Sequence, residues 1–247
     1  MVGQLLLRGM LVGVLAGLLA AGFAFIAGES SVDRAIAFES AAAQAAGEPE
    51  EPEIVSREIQ RSAGLLTASV VYGAALGGLF ALAFAIANGR VGALQPRAVA
   101  ALLALAAFIA VALVPALKYP ANPPSIGQPE TIGARTALFF IMLFGSVLAM
   151  ILASMLRGAL VERLGLWNAG LVGGACYLIA VVVIAALLPS VDEVPERFPA
   201  DLLWNFRLAS LGAQAVLWSV LGLAFGALTQ SRRELGFGAG AARVSTR

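Results

Sequence analysis

The chain contains no histidine, a single cysteine and few charges: only 13% of its 247 residues are Asp, Glu, Lys or Arg. Without imidazole there is no Ser-His-Asp or Cys-His nucleophile, no HExxH zinc site and no haem held by histidine. Cys176, standing alone, forms no intramolecular bridge, which removes the secreted disulfide scaffolds. Its apolar neighbours suggest a buried small residue rather than a reactive thiol. A GxxxxGK[ST] loop for cradling nucleotide phosphates is also missing. Basic and acidic residues number 16 and 15, and a net charge of +1 offers nucleic acid no electrostatic footprint. Scarcity of charge is the most restrictive of these features. Soluble domains carry about 25% charged and about 45–50% apolar residues, whereas 60% of this chain is hydrophobic. Too little polar surface is left to cover a water-soluble globule, and an integral membrane protein remains.

The few charges are unevenly placed. Between them lie six uncharged intervals, 9–28, 62–89, 98–117, 136–156, 164–191 and 208–231, of 20, 28, 20, 21, 28 and 24 residues. A helix needs roughly 20 apolar residues to cross the hydrocarbon core. Leu, Ala, Val and Gly fill the intervals without period-2 alternation, which favours helices over a barrel. The expected fold is all-α: a polytopic membrane protein of six transmembrane helices, in three hairpins closed by outside loops. The spans fall at about 9–28, 64–88, 98–117, 136–156, 168–189 and 208–229. They make one transmembrane domain over 1–228, with a flexible cytoplasmic tail at 229–247. Arg8 and the first apolar run resemble a signal peptide, with a small-x-small match at Gly22-Phe-Ala24. That run exceeds the roughly 7–15 residues of an h-region, so the first span is expected to be retained.

Orientation follows from Lys and Arg. Nine of them lie at the N-terminus, after the second and fourth spans and in the tail, against seven on the other side. The bias places both termini in the cytoplasm. The acids divide more sharply: thirteen of fifteen, all except Glu162 and Glu234, fall in the three outside loops. Such an acidic face attracts cations, although solvated loops carry charge in any case. Both readings stand.

The first outside loop opens with Ser30-x-x-Asp33, which reads as a capping box for a short helix over 31–46, ended by Gly47. An extended, self-repelling stretch, Glu48-Pro-Glu-Glu-Pro-Glu53, follows. The second and third loops, around Lys118–Arg135 and Pro189–Arg207, are proline-rich. Within the spans, Gly9/Gly13/Gly17, Gly73/Gly77, Gly170/Gly174 and Gly222/Gly226 repeat at four-residue spacing, a pattern of close helix packing.

Oxygen is the chemistry the chain offers. Glu29, Asp33, Glu39, Glu58, Glu130, Asp192 and Asp201 are the candidate cation contacts, and no catalytic residue is expected. Arg34, Arg57, Arg135 and Arg207 lie at comparable depth, so each carboxylate is either a cation contact or an arginine's partner. The ion pairs expected first are Asp33 with Arg34 and Asp201 with Arg207. No charged residue stands at the middle of a span. The polar residues there are few, and they include Thr67, Ser146, Ser154, Ser210 and Gln214.

Several loop segments resemble the CbtA family of proposed cobalt transporter subunits. They are Gly28-Glu-Ser-Ser-Val-Asp-Arg-Ala-Ile-Ala-Phe-Glu39, Val55-Ser-Arg-Glu-Ile-Gln-Arg61 and Lys118-Tyr-Pro-Ala-Asn-Pro-Pro124 with Glu130-Thr-Ile-Gly-Ala-Arg-Thr136. Val191-Asp-Glu-Val-Pro-Glu196 and Phe198-Pro-Ala-Asp-Leu-Leu-Trp-Asn-Phe-Arg-Leu-Ala-Ser210 complete the resemblance. It implies a multi-pass protein of the bacterial cytoplasmic (inner) membrane, linked to cobalamin synthesis, with no enzymatic activity. It also implies a small CbtB-type partner with one span and a histidine-containing segment. Cobalt or another divalent cation would be cargo, with no permanently bound cofactor. The rival readings are a non-transporting membrane scaffold or assembly subunit, and a membrane-embedded enzyme using loop carboxylates.

Overall fold

The structure of the chain, a computed structural model, describes residues 2–47, 54–92 and 94–244, with side chains up to residue 230. The Glu48–Glu53 stretch lies outside the described residues. Among the described residues the regular structure is helical, with no strand. Six long helices follow one another: α1 (Val2–Ala27), α2 (Glu29–Ala46), α3 (Arg57–Ala87), α4 (Pro96–Lys118), α5 (Ile132–Leu187) and α6 (Ala200–Val244). All but α2 are long and apolar enough to cross a membrane. Their outward side chains are hydrophobic, with Leu11, Leu148, Leu152 and Leu187 exposed. That is the arrangement expected where lipid is the solvent. By their contacts the helices sort into two compact units, the first of Met1–Gly22, Arg57–Ala106 and Gln214–Arg247, the second of Phe23–Ser56 and Ala107–Ala213.

In the first unit backbone meets backbone. Gly9, Gly13 and Gly17 of α1 face Gly77, Gly73 and Ser69 of α3, so the two helices run antiparallel. A Cβ on any of these glycines would overlap the opposing carbonyl oxygen. Apolar side chains gain nothing by leaving lipid for one another, and close van der Waals contact of small residues drives such association instead. Gly222 and Gly226 of α6 pack in the same way on Ala104 and Ala100 of α4. The larger side chains fill the space between: Phe225 packs edge-on against Phe80 and Phe84, with ring centroids 5.4 and 5.1 Å away.

The second unit contains α5, 56 residues long. A straight helix of that length would measure roughly 84 Å, far more than a bilayer. Gly165, at φ 73° and ψ 169°, breaks it. The arms 132–164 and 166–187 then fold back on each other: Gly145 meets Ile184, Ser146 bonds Tyr177 (2.9 Å) and Gly173 lies on Ala153. With α5 counted as two antiparallel spans, the chain has the six that its charge gaps indicate. The link expected at 157–167 shrinks to this one glycine, because helix continues to residue 164. In α4, a wider π turn at Phe108–Leu113 precedes the buried Pro115. Proline displaces the carbonyl four residues back and offers no amide, and a wide turn accommodates both.

Two expectations about the fifth span are corrected. Among the described residues nothing lies within 4 Å of a Cβ placed at Gly170 or Gly174, so that stripe meets no described helix; Gly173 makes the contact instead. Cys176 is exposed rather than buried. Both errors have one cause: the four-residue spacing marks a helix face without saying which face meets protein. In unfolding experiments on the detergent-solubilised chain, Gly13→Ala is therefore expected to cost about 1–3 kcal/mol, the penalty for overpacking. Gly174→Ala is expected to leave stability unchanged or raise it by up to about 1 kcal/mol through helix propensity.

Candidate functional site

The second unit also holds a cap formed by the segments joining its helices. Helix α2 is alanine-rich, and Gly47 ends it in the left-handed conformation (φ 71°), its amide reaching the carbonyls of Ala43 and Gln44. At the other end the capping box fails to form. Gly28, not a serine, is the N-cap, and it makes no side-chain cap bond. Its amide still donates to Ala24 O (2.7 Å), while its carbonyl accepts from Ser31 and Val32 (3.0 and 3.2 Å). Helix α1 thus runs into α2 through one glycine, and Ser30 is already inside the helix.

A small apolar core draws the three segments together. Ala35 of α2, Ile126 between α4 and α5, and Phe198 and Leu202 at the start of α6 are all buried against one another. Phe38 sets its ring edge-on to Phe198 at 5.1 Å. Polar links surround this core. The Tyr119 hydroxyl donates to Pro189 O (2.7 Å), and burial pushes its phenol pKa up, as suits a group that stays a donor. Lys118 Nζ reaches Ser190 Oγ at 3.5 Å. Arg34 bonds Asp201 at 3.0 Å, a pair with both side chains more than half exposed and therefore weakened by solvent screening.

The most constrained group is Glu193. Its Oε2 accepts from the Gln128 amide (2.7 Å) and the Thr131 hydroxyl (3.0 Å) and stands 3.5 Å from Arg135 Nε. Arg135 in turn donates to Thr131 Oγ1 and Gln128 O, each at 3.1 Å. Gly127, at φ 106°, lies so close to this guanidinium that a Cβ there would overlap it. The hydrogen bond from the Gln128 amide, then that from Thr131, and last the charge of Arg135 hold the Glu193 carboxyl below the usual glutamate range, against desolvation. Beside this network a cavity of about 500 Å³ opens, with Arg135, Arg207, Asn122, Asp192 and Glu193 in its wall. Arg207 Nη2 donates to Asn122 Oδ1 at 2.9 Å, and its buried Nε has no hydrogen-bond partner among the described residues.

The candidate carboxylates are scattered over this frame. Glu29, Asp33 and Glu39 lie along α2, the last two exposed; Glu58 is exposed at the start of α3, and Glu130 in the 3-10 turn Pro129–Thr131. Asp192 lines the cavity with Arg135 and Arg207, and Asp201 stands in the first turn of α6. Arg57, in the first turn of α3, is partly buried. The bonds among the described residues give the two arginines other partners than those expected: Arg34 bonds Asp201, and Arg207 bonds Asn122. Adjacent helical residues such as Asp33 and Arg34 do not face each other. Among the described residues no three His, Cys, Asp or Glu side chains converge to hold a metal ion. Glu193, a third-loop carboxylate, and its donors Gln128 and Thr131 stand outside the candidate set. Only the four-residue step from Thr131 to Arg135 was visible locally.

The cap and the membrane-crossing helix segments fall within residues 2–230, which match the family model described as "Probable cobalt transporter subunit (CbtA)". The chain belongs to the CbtA family. No curated protein and no solved structure matches it. The CbtA match spans all six membrane crossings and the three cap segments together. This CbtA chain is accordingly a multi-pass membrane protein of a transporter-subunit family.

A carboxyl whose pKa is lower folded than unfolded stabilises the fold above the unfolded value, and loses that contribution as pH falls through the folded one. Wild type should therefore be more stable than Glu193→Gln near neutrality. The gap should narrow as pH drops from about 5 downwards, read as melting temperature against pH in detergent.

Proposed function

We propose that this chain is the membrane-embedded subunit of a cobalt, or related divalent-cation, uptake system in the bacterial cytoplasmic membrane. Membership of CbtA, whose family description is a probable cobalt transporter subunit, carries the reading. The biased placement of charge supports it. With the termini in the cytoplasm, the acid-rich cap faces the side from which cations arrive and raises their local concentration. Glu39 and Glu130, exposed on the cap, Glu58, exposed at the start of α3, and Asp33 and Asp192 would act as field and passing contacts for a hydrated ion. A closed cage is not needed for that role, which agrees with the absence of a three-ligand cluster among the described residues.

Co²⁺ favours imidazole nitrogen, whereas all-oxygen sites suit Mg²⁺, Ca²⁺ or Mn²⁺. This chain has no histidine. The nitrogen ligands would come from a second subunit, a CbtB-type single-span protein with a histidine-containing segment, and the cobalt would serve cobalamin synthesis. No enzymatic step is assigned to the chain. A second reading, a scaffold that only holds such a partner, draws on the cap bonds, which tie loop to loop.

Cells expressing the chain with its single-span partner should accumulate labelled Co²⁺ above empty-vector cells, and accumulation equal to the vector's would overturn transport in favour of the scaffold. Within an active system, combining Glu39→Gln, Glu58→Gln and Glu130→Gln should raise the Co²⁺ concentration giving half-maximal uptake. Added salt should erase that difference, because exposed charges are screened beyond about 8–10 Å at physiological ionic strength.

A further inference from the structure

The cap cavity has the wrong chemistry for a bare cation. Two guanidiniums, Arg135 and Arg207, stand in its wall. Glu193 is already engaged by the Gln128 amide, the Thr131 hydroxyl and Arg135. Asp192 is left as the carboxylate that opposes Arg207, and it acts on that side chain through space. Arg207 itself is underused: among the described residues one bond, to Asn122, occupies a group with five N–H donors, and its buried Nε meets no partner there. A buried donor left unsatisfied is costly, and a charged acceptor relieves it. Phe139 and Val194 add apolar wall, and a volume of about 500 Å³ fits an organic molecule rather than a lone ion.

We propose that this cavity binds an oxyanion, phosphate or carboxylate, borne on a small organic body, with Arg207 as its principal contact and Arg135, already paired with Glu193, in the wall beside it. Asp192 works against the ligand and keeps its affinity moderate. Two sources share this chemistry: the headgroup of an anionic lipid, and a free anion such as a carboxylate able to accompany a metal ion. The inference stands apart from cobalt transport, since it needs only the cavity and its charges.

Titration calorimetry on the full chain in neutral detergent tests it with three probes: inorganic phosphate, citrate and dihexanoyl phosphatidylglycerol. At least one should bind saturably to one site. Binding by the lipid alone identifies a headgroup site, and binding by phosphate or citrate identifies a free-anion site. Arg207→Gln should weaken that binding about tenfold or more. Arg207→Lys should weaken it too, because a lysine keeps the charge but not the fork. Asp192→Asn should tighten it several-fold by removing the opposing carboxylate. Failure of all three probes overturns the proposal, as does wild-type affinity in both Arg207 variants. Weaker binding in Asp192→Asn also overturns it, since that is the behaviour of a cation site. If Arg207→Gln does not fold, the lysine and Asp192 variants carry the test.

Discussion

Burial of Ile126 against Ala35, Phe198 and Leu202 is the contact on which the cap depends. These four residues come from three segments widely separated in sequence. Once the apolar contact forms, the backbone around Ile126 is held. Gln128 can then present its amide to Glu193, and Arg135 can lie across Gly127. Burial of large apolar side chains outweighs exposed ion pairs such as Arg34 with Asp201, which solvent screens.

Between the membrane helices a different constraint operates. Lipid removes the hydrophobic incentive for helices to meet, so contact has to be made at backbone distance, where only glycine, alanine and serine fit. The α1–α3 pair shows this most directly, with three residues at four-residue spacing on one helix matched by three on the other. Where α5 doubles back, Ser146 and Tyr177 satisfy each other's hydroxyls inside the protein. Leaving either unpaired in hydrocarbon would be costly.

The membrane architecture was legible because its signal is local and additive. Charge gaps of twenty residues or more report spans directly, and the structure places helices on all six. Glycine stripes were legible as packing faces on α1, α3 and α6, but Gly170 and Gly174 carry the same spacing and meet no described helix. Sequence spacing defines a face, while partner choice depends on tertiary arrangement. The cap was less legible still. Charges were paired by nearness in the chain, whereas Arg34 finds Asp201 across 167 positions and Glu193 finds Gln128 across 65. Ser30 looked like a helix start because the pattern around it is a capping pattern, but Gly28 carries α1 almost unbroken into α2. The family resemblance lay in these same loop segments, which is why the loops identified the protein better than they described its cap.

Gly165 gives the two arms of α5 a mechanical relation that a longer connector would not. A loop of several residues lets each helix choose its own rotation, absorbing insertions and deletions as slack. A single non-helical residue transmits them. Adding one residue to either arm turns everything beyond it by about 100°. Tyr177 would then swing away from Ser146, and the arms could not adjust independently. The two crossings therefore behave as one folded rod whose phase is set at its bend. Length changes during divergence should be excluded from that bend and find their place in the cap segments at the opposite end of the rod.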